Sequence, residues 1–186
     1  LFASPQIRNV ASLVGNIANA SPIADTLPFL FVMQAKLEIQ GPSKKRTAPI
    51  NSFYKGYKKM DLKPGEWISG VLIPCLQPDE KLFLYKISQR RDLDISTVNA
   101  GFLIKKKNSV ETLRIAYGGV GPTILRLPQT EKFLKENFRS DHLQAAVALV
   151  QKEISPQSDL RGSVAFRHKA SANLLRKFCL EVLGEI

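Results

Sequence analysis

Polar and apolar positions fall into three regimes along this chain. Ala35-Lys36-Leu37-Glu38-Ile39-Gln40 alternates apolar with polar, the period-two pattern of a strand with one buried face. Gly41-Pro42-Ser43 turns it back into Thr47-Ala48-Pro49-Ile50, so a short hairpin is expected. Residues 67–73 (WISGVLI) read as a further, mostly apolar strand that stops at Pro74, after an aromatic and basic connector over residues 53–60 (FYKGYKKM). Strand-like stretches return at residues 82–87, 97–106 and 110–117, the last two joined around Asn108-Ser109. The pattern then changes period. Leu143, Ala146, Val147, Val150 and Ile154 recur at helix spacing, as do Ser171, Leu174, Leu175, Phe178 and Val182. Ser21-Pro22 ahead of Ile23, Leu27, Leu30 and Phe31 reads as a capped helix start, with Pro28 forcing a kink or an early restart.

Between the two strand-bearing regions, residues 75–81 (CLQPDEK) carry a proline and acids, the composition of a boundary. The expected fold class is α+β. A first lobe of mixed strands and helices, residues 1–76, precedes a lobe over 77–186 with a three-stranded antiparallel sheet packed by C-terminal helices.

Length and composition change this picture little. The chain has 186 residues, 44% hydrophobic and 23% charged, ordinary values for a globular protein with a real core. The longest apolar run, residues 27–33, is far below the roughly 20 residues that span a bilayer. Residue 1 is Leu, with no signal-peptide layout after it, so the sequence is expected to start inside a longer polypeptide. Cys75 and Cys179 stand too far apart for a CxxC metal framework and fit idle thiols in a reducing cytoplasm. The net charge of +11 raises the question of nucleic acid. Its basic residues, however, sit in separate short clusters (Lys44-Lys45-Arg46, Arg90-Arg91, Lys105-Lys106-Lys107) rather than on one helix or among stacking aromatics. Solvated loops with contacts to an acidic partner suit them better, and neither nucleic acid nor membrane is expected as a ligand.

Acid–base catalysis finds no constellation. His142 and His168 lie in helical patterns without a nucleophile or second ligand at suitable spacing. Asp92 and Asp94 are flanked by Arg90 and Arg91, which reads as a salt-bridged loop. Residues 15–25, GNIANASPIAD, are more specific in character. Gly15, Ala18 and Ala20 would let backbone approach a ligand closely. Asn16 can donate and accept, Asp25 can accept from hydroxyls or an imide N–H, and a following helix start favours an anion. The same residues also describe a tight turn capped by Ser21.

Neighbouring words favour the ligand reading. QIRNVAS ahead of GNIANASPIAD, then PGE at residues 64–66, YKISQRRDLDI at 85–95 and YGG at 117–119 occur in one order. Together they resemble the flavin-binding subunit or domain of the xanthine dehydrogenase family of molybdenum hydroxylases, over essentially the whole chain. In particular they resemble the separate small subunit of bacterial enzymes, in which flavin and iron–sulfur domains share one chain.

That resemblance implies FAD as cofactor. An aromatic at Phe2 would pack on its adenine. Ser12, Leu13, Val14, Gly15 and Asn16 would wrap it, and Asp25, Ile68 and Lys86 would contact it. Ala18 would lie near the flavin ring. Arg90, Arg91, Asp92, Leu93 and Asp94 would form a loop controlling nicotinamide access. Lys86 would favour an electron-rich reduced flavin. The family usually carries two glycines before Asn-Ile, where this chain has Val14-Gly15, and a β-branched residue at a positive φ would strain the backbone. An earlier half holding the pyrophosphate is implied upstream, leaving the FAD site only partly present here.

The implied function is electron transfer from iron–sulfur clusters through FAD to NAD in an oxidoreductase. Molybdopterin and the clusters would sit on other domains or subunits, and these residues alone would be inactive. The near alternative is the medium flavin subunit of a carbon-monoxide dehydrogenase-type hydroxylase. The other is a non-catalytic basic interaction module that no longer binds cofactor.

Overall fold

A computed structural model describes residues 3–90 and 94–186. The expectations placed on Phe2, Arg91, Asp92 and Leu93 fall outside the described residues. Two six-residue helices open the first lobe, α1 (Pro5–Val10) and α2 (Leu13–Ala18). Each follows a serine cap: Ser4 Oγ accepts from Ile7 N, and Ser12 Oγ from Gly15 N.

The helix expected from Ser21-Pro22 does not start there. Residues 21–26 form turns, and α3 (Leu27–Val32) begins after Thr26 with Pro28 in its first turn. A proline at that position loses no intrahelical hydrogen bond, so it restarts the chain instead of kinking it. Leu27, Leu30, Phe31 and Val32 are all buried, because this short helix lies between the two lobes.

β1 (Lys36–Gln40) pairs with β2 (Lys45–Pro49) in the expected hairpin, and β5 (Trp67–Leu72) adds to the other edge of β1. Leu37 and Ile39 point inward while Lys36 and Glu38 face solvent, as the alternation requires. The connector after β2 becomes one helical turn, α4 (Ile50–Phe53), and a ribbon of β3 (Tyr54–Gly56) with β4 (Lys59–Met60). Tyr57-Lys58 forms the ribbon's tip, with Lys58 at φ 56°.

The PGE residues clamp this lobe. Gly65 takes φ 78°, and Glu66 receives Arg46 Nε at 2.9 Å, Arg46 Nη2 at 2.7 Å and Lys63 N at 2.8 Å. Arg46 also reaches Asp61 at 3.2 Å.

The second sheet has three long antiparallel strands, β6 (Glu80–Ile87), β7 (Val98–Lys106) and β8 (Val110–Gly118). A two-residue edge strand that the periodicity did not mark, β9 (Leu125–Arg126), extends it in the order β6-β7-β8-β9. Both faces of β7 are covered. Ala100, Phe102 and Ile104 pack with α5 (Pro128–Glu136), α6 (Leu143–Glu153) and α7 (Val164–Leu183), where the Phe102 and Phe178 rings stack at 4.4 Å. On the opposite face Leu103 joins the core of the first lobe. Gly101 permits that contact, since a Cβ there would lie 2.8 Å from the Pro28 carbonyl oxygen. Through α3 the two lobes thus share a core. Among the described residues no helix is long and apolar enough to cross a membrane.

Candidate functional site

The residues read as a ligand loop divide between a helix and a turn. Ser12 caps α2, and Leu13 and Val14 stand in its first turn, ahead of any i→i−4 partner for their N–H groups. Val14 is helical and packs against the first-lobe core, so the strain expected from a positive φ is absent. Gly15 N donates to the capping Ser12 Oγ at 3.0 Å, and a Cβ on Gly15 would sit 2.8 Å from that oxygen. Ser12 followed by Leu13 and Ile17 was a readable helix signal, which the run of small residues obscured.

Asn16 Oδ1 accepts from Thr26 Oγ1, tying the helix to the far end of the turn. Ser21, expected as a helix cap, instead accepts from Ile23 N at 3.4 Å within the turn. Across the lobes, Gly119 N donates to Pro22 O at 2.7 Å. Ala20 takes φ 50°, bending the chain from α2 into this turn.

Asp25 and Lys86, 61 positions apart in sequence, meet directly: Lys86 Nζ donates to Asp25 Oδ2 at 2.7 Å. The pair is largely shielded from water, with the two side chains 13% and 16% exposed. Lys86 also donates to Asp94 O at 2.9 Å. Asp25 Oδ1 accepts from Ser96 Oγ at 2.5 Å and Asn99 Nδ2 at 3.2 Å. Ser96 and Asn99 were not found by sequence reasoning. Their only signal was polarity at the mouth of an apolar strand.

The Asp94 carboxylate accepts from Arg90 N at 2.7 Å and from Ile95 N at 2.8 Å. Chiefly the Arg90 N–H holds its carboxyl below the usual range. Ile68 is brought elsewhere. It is a buried core residue of β5 paired opposite Ile39, and it does not line the cleft.

A cleft of about 900 Å³ opens between the lobes, with Asn16, Asn19 and Asp25 on one wall and Gly119 and Arg161 on the other. Lys58 reaches over it from the ribbon tip, donating to Asn19 Oδ1 at 2.9 Å. The far wall is held by Arg167, a buried residue of α7. Its Nη1 donates to the carbonyls of Thr97 and Gly119, and its Nη2 to Asp159 Oδ1 at 2.7 Å. Burial works to raise the Asp159 carboxyl, but the Arg161 N–H and the Arg167 guanidinium outweigh it and hold it low. On the other side of the Asp25–Lys86 pair lies a smaller, mainly apolar cavity of about 320 Å³, bordered by Leu13, Phe29, Leu84 and Tyr85.

This lining suits a dinucleotide. The amides of Asn16 and Asn19 and the cations Lys58 and Arg161 match phosphate and ribose oxygens, while the adjoining apolar cavity matches a flat ring. The residues present therefore fit FAD. Among the described residues no acid–base pair for covalent chemistry lies in the cleft. His142 and His168 stand apart from it, half-buried.

Comparison with known proteins agrees. The chain is 36% identical over 189 residues to xanthine dehydrogenase 1 of Arabidopsis thaliana, a match covering 97% of this chain and 14% of that protein. Aldehyde oxidase 1 of Bos taurus is also 36% identical, with the same coverage. Among solved structures, a carbon monoxide dehydrogenase from Hydrogenophaga pseudoflava superposes with a TM-score of 0.90 at 26% identity, over 95% of this chain and 62% of that one. The chain thus spans only a small part of the curated relatives it matches. Residues 1–76 match the FAD binding domain in molybdopterin dehydrogenase, and residues 83–182 match the CO dehydrogenase flavoprotein C-terminal domain. With these two models in tandem, the chain belongs to the FAD-binding flavoproteins of the molybdopterin dehydrogenase family.

Proposed function

We propose that this chain is the flavin-holding part of a xanthine dehydrogenase-type oxidoreductase, acting in the cytoplasm beside iron–sulfur and molybdopterin-binding domains or subunits. Tandem family matches, together with an Asp25–Lys86 pair at the interlobe cleft, support this reading most directly. FAD, when bound, supplies the exchange between one-electron iron–sulfur carriers and a hydride acceptor, NAD in this proposal. The chain's own residues bind and orient. The α2 start and Asn16 present N–H donors, Asp25 accepts from the cofactor's hydroxyl or imide groups, and Lys86 places positive charge beside it. Phe2 would cover the adenine and Ile68 would support the site from β5. Residues 90–94 would set nicotinamide access, with Asp94 holding the loop's exit. With two cysteines, the chain cannot ligate iron–sulfur clusters of its own, so alone it has no dehydrogenase activity.

A second reading, the medium flavin subunit of a carbon monoxide dehydrogenase-type enzyme, draws support from the structural likeness to that protein. The substrate is chosen at molybdenum, which these residues do not include.

The test is FAD titration of the complete protein with Asp25→Ala and Lys86→Ala variants, followed by NAD reduction with xanthine as donor. Weaker FAD binding in both variants and xanthine-dependent NADH formation support the proposal. FAD affinity unchanged in both variants refutes the site. Reduction by carbon monoxide and not by xanthine favours the second reading. Salt-dependent DNA binding without any flavin would identify a basic interaction module.

A further inference from the structure

Asn99 interrupts the apolar run of β7 and is 3% exposed. A buried amide in a strand needs a reason, because an aliphatic residue there would lose no hydrogen bonds to water on folding. Its Nδ2 donates to Asp25 Oδ1 at 3.2 Å and lies 3.3 Å from Ala24 O and 3.4 Å from Ile23 O. Three acceptors on one side fix the amide's orientation, since reversal would set oxygen against oxygen. Its other end is left over: Oδ1 is buried and has no donor among the described residues. Even the space for it is specific. A Cβ on Gly118, in the neighbouring strand, would fall 2.1 Å from that oxygen. The chain therefore keeps an unpaired buried acceptor beside a side-chain-free strand position, where a Cβ would also lie 2.8 Å from Ile124 Cδ1 and 3.0 Å from Pro22 O, around a contact with the turn carrying Asp25.

We infer that Asn99 is a positioning residue. It grips the Asp25 carboxylate and the backbone of residues 23 and 24 together, fixing the direction in which that carboxylate meets the cofactor, and Gly118 is the space it needs. The inference rests on the reading of Asp25 as an FAD contact. Lys86 holds the same carboxylate and ties it to Asp94 O, and Ser96 holds its other oxygen; among the described residues Asn99 is the one of the three whose side chain joins that carboxylate to the backbone of residues 23 and 24. Because Asn99 also borders the smaller cavity, the experiment must separate action through Asp25 from direct ligand contact.

The experiment is a double-mutant cycle on FAD affinity. The complete protein is stripped of flavin and titrated by quenching of flavin fluorescence, as wild type, Asn99→Ala, Asp25→Ala and the double variant. Each single substitution is expected to weaken FAD binding about tenfold, the scale of one hydrogen bond to a charged group. The double variant should lie within about twofold of Asp25→Ala, because Asn99 has nothing left to position. Additive losses, about a hundredfold in the double variant, would show a structural or direct-contact role and overturn the inference. So would an Asn99→Ala affinity equal to wild type while Asp25→Ala is weakened. If Asp25→Ala binds FAD normally, the underlying reading fails and the inference with it. Should Asn99→Ala lose its near-ultraviolet circular dichroism, Asn99→Ser takes its place in the cycle with the same expectations.

Discussion

Replacing Lys86 with Met keeps the side chain's aliphatic length and removes its charge, so it isolates what the ion pair contributes to stability. The magnitude follows from the surroundings. A pair at 2.7 Å with side chains 13% and 16% exposed is not a surface pair, for which a value near zero would be expected. Nor is it a sealed pair, whose breakage costs about 3–5 kcal/mol. Without Lys86, the Asp25 carboxylate still accepts from Ser96 and Asn99, which limits the penalty. About 2 kcal/mol is therefore expected for Lys86→Met, the value for losing one charge-assisted hydrogen bond in a partly dry site. Asp25→Asn should cost a similar amount. Because the two act on one interaction, the double variant should cost about 2–3 kcal/mol rather than the sum. Urea unfolding of the four proteins, followed by circular dichroism with m-values compared, measures the cycle. A Lys86→Met cost below about 0.5 kcal/mol, or strict additivity, would refute the argument by showing that solvent screens the pair as it does at a surface.

Further tests address other parts of the molecule. Hydrogen bonds from Arg46, then from Lys63 N, hold the Glu66 carboxyl down to about 2. A depressed acid stabilises the fold fully above its ordinary value near 4.5 and loses that contribution as pH falls through about 2. Melting curves from pH 5 to 2 should show a steeper acid loss in the wild type than in Glu66→Gln, and parallel curves would refute the clamp. Gly101→Ala should destabilise by about 1–3 kcal/mol in chemical denaturation, because its Cβ meets α3 backbone that cannot swing away. A neutral effect would mean that the lobes are not fixed against one another. Cys179 is buried, and burial pushes its thiol up to about 12, whereas Cys75 is exposed. A thiol reagent at pH 8 should modify Cys75 alone in the native protein and both in urea. Rapid native labelling of Cys179 would contradict the packing of α7.

Strands and late helices were legible because their signals are local. The alternation of residues 35–40 needs only one buried face, and Leu174, Leu175 and Phe178 repeat at the helical period along α7. β9 was not legible, since two residues carry no period and its pairing with Ala116 depends on β8 being in place. The turn at residues 21–26 was misread for a related reason. Ser21-Pro22 is a sound helix opening in isolation, but the Gly119 N–H takes the Pro22 carbonyl, and α3 starts only where its apolar residues can enter the core between the lobes.

The candidate site divides in the same way. Sequence alone determined its chemical inventory: small residues, two asparagines, one acid in the turn and one lysine at the end of a strand, in the order that the flavoprotein family shares. Tertiary structure decided who meets whom. It paired Asp25 with Lys86 across 61 positions, supplied Ser96 and Asn99 as further donors, moved Ile68 into the core, and explained Val14 as a helical residue under no strain. The physical reason is range. Backbone propensity and hydrophobic period act over a few residues and are written in the chain. The direction of a buried carboxylate depends on donors that arrive from other strands, and those positions exist only once β7 and β8 have packed against α3.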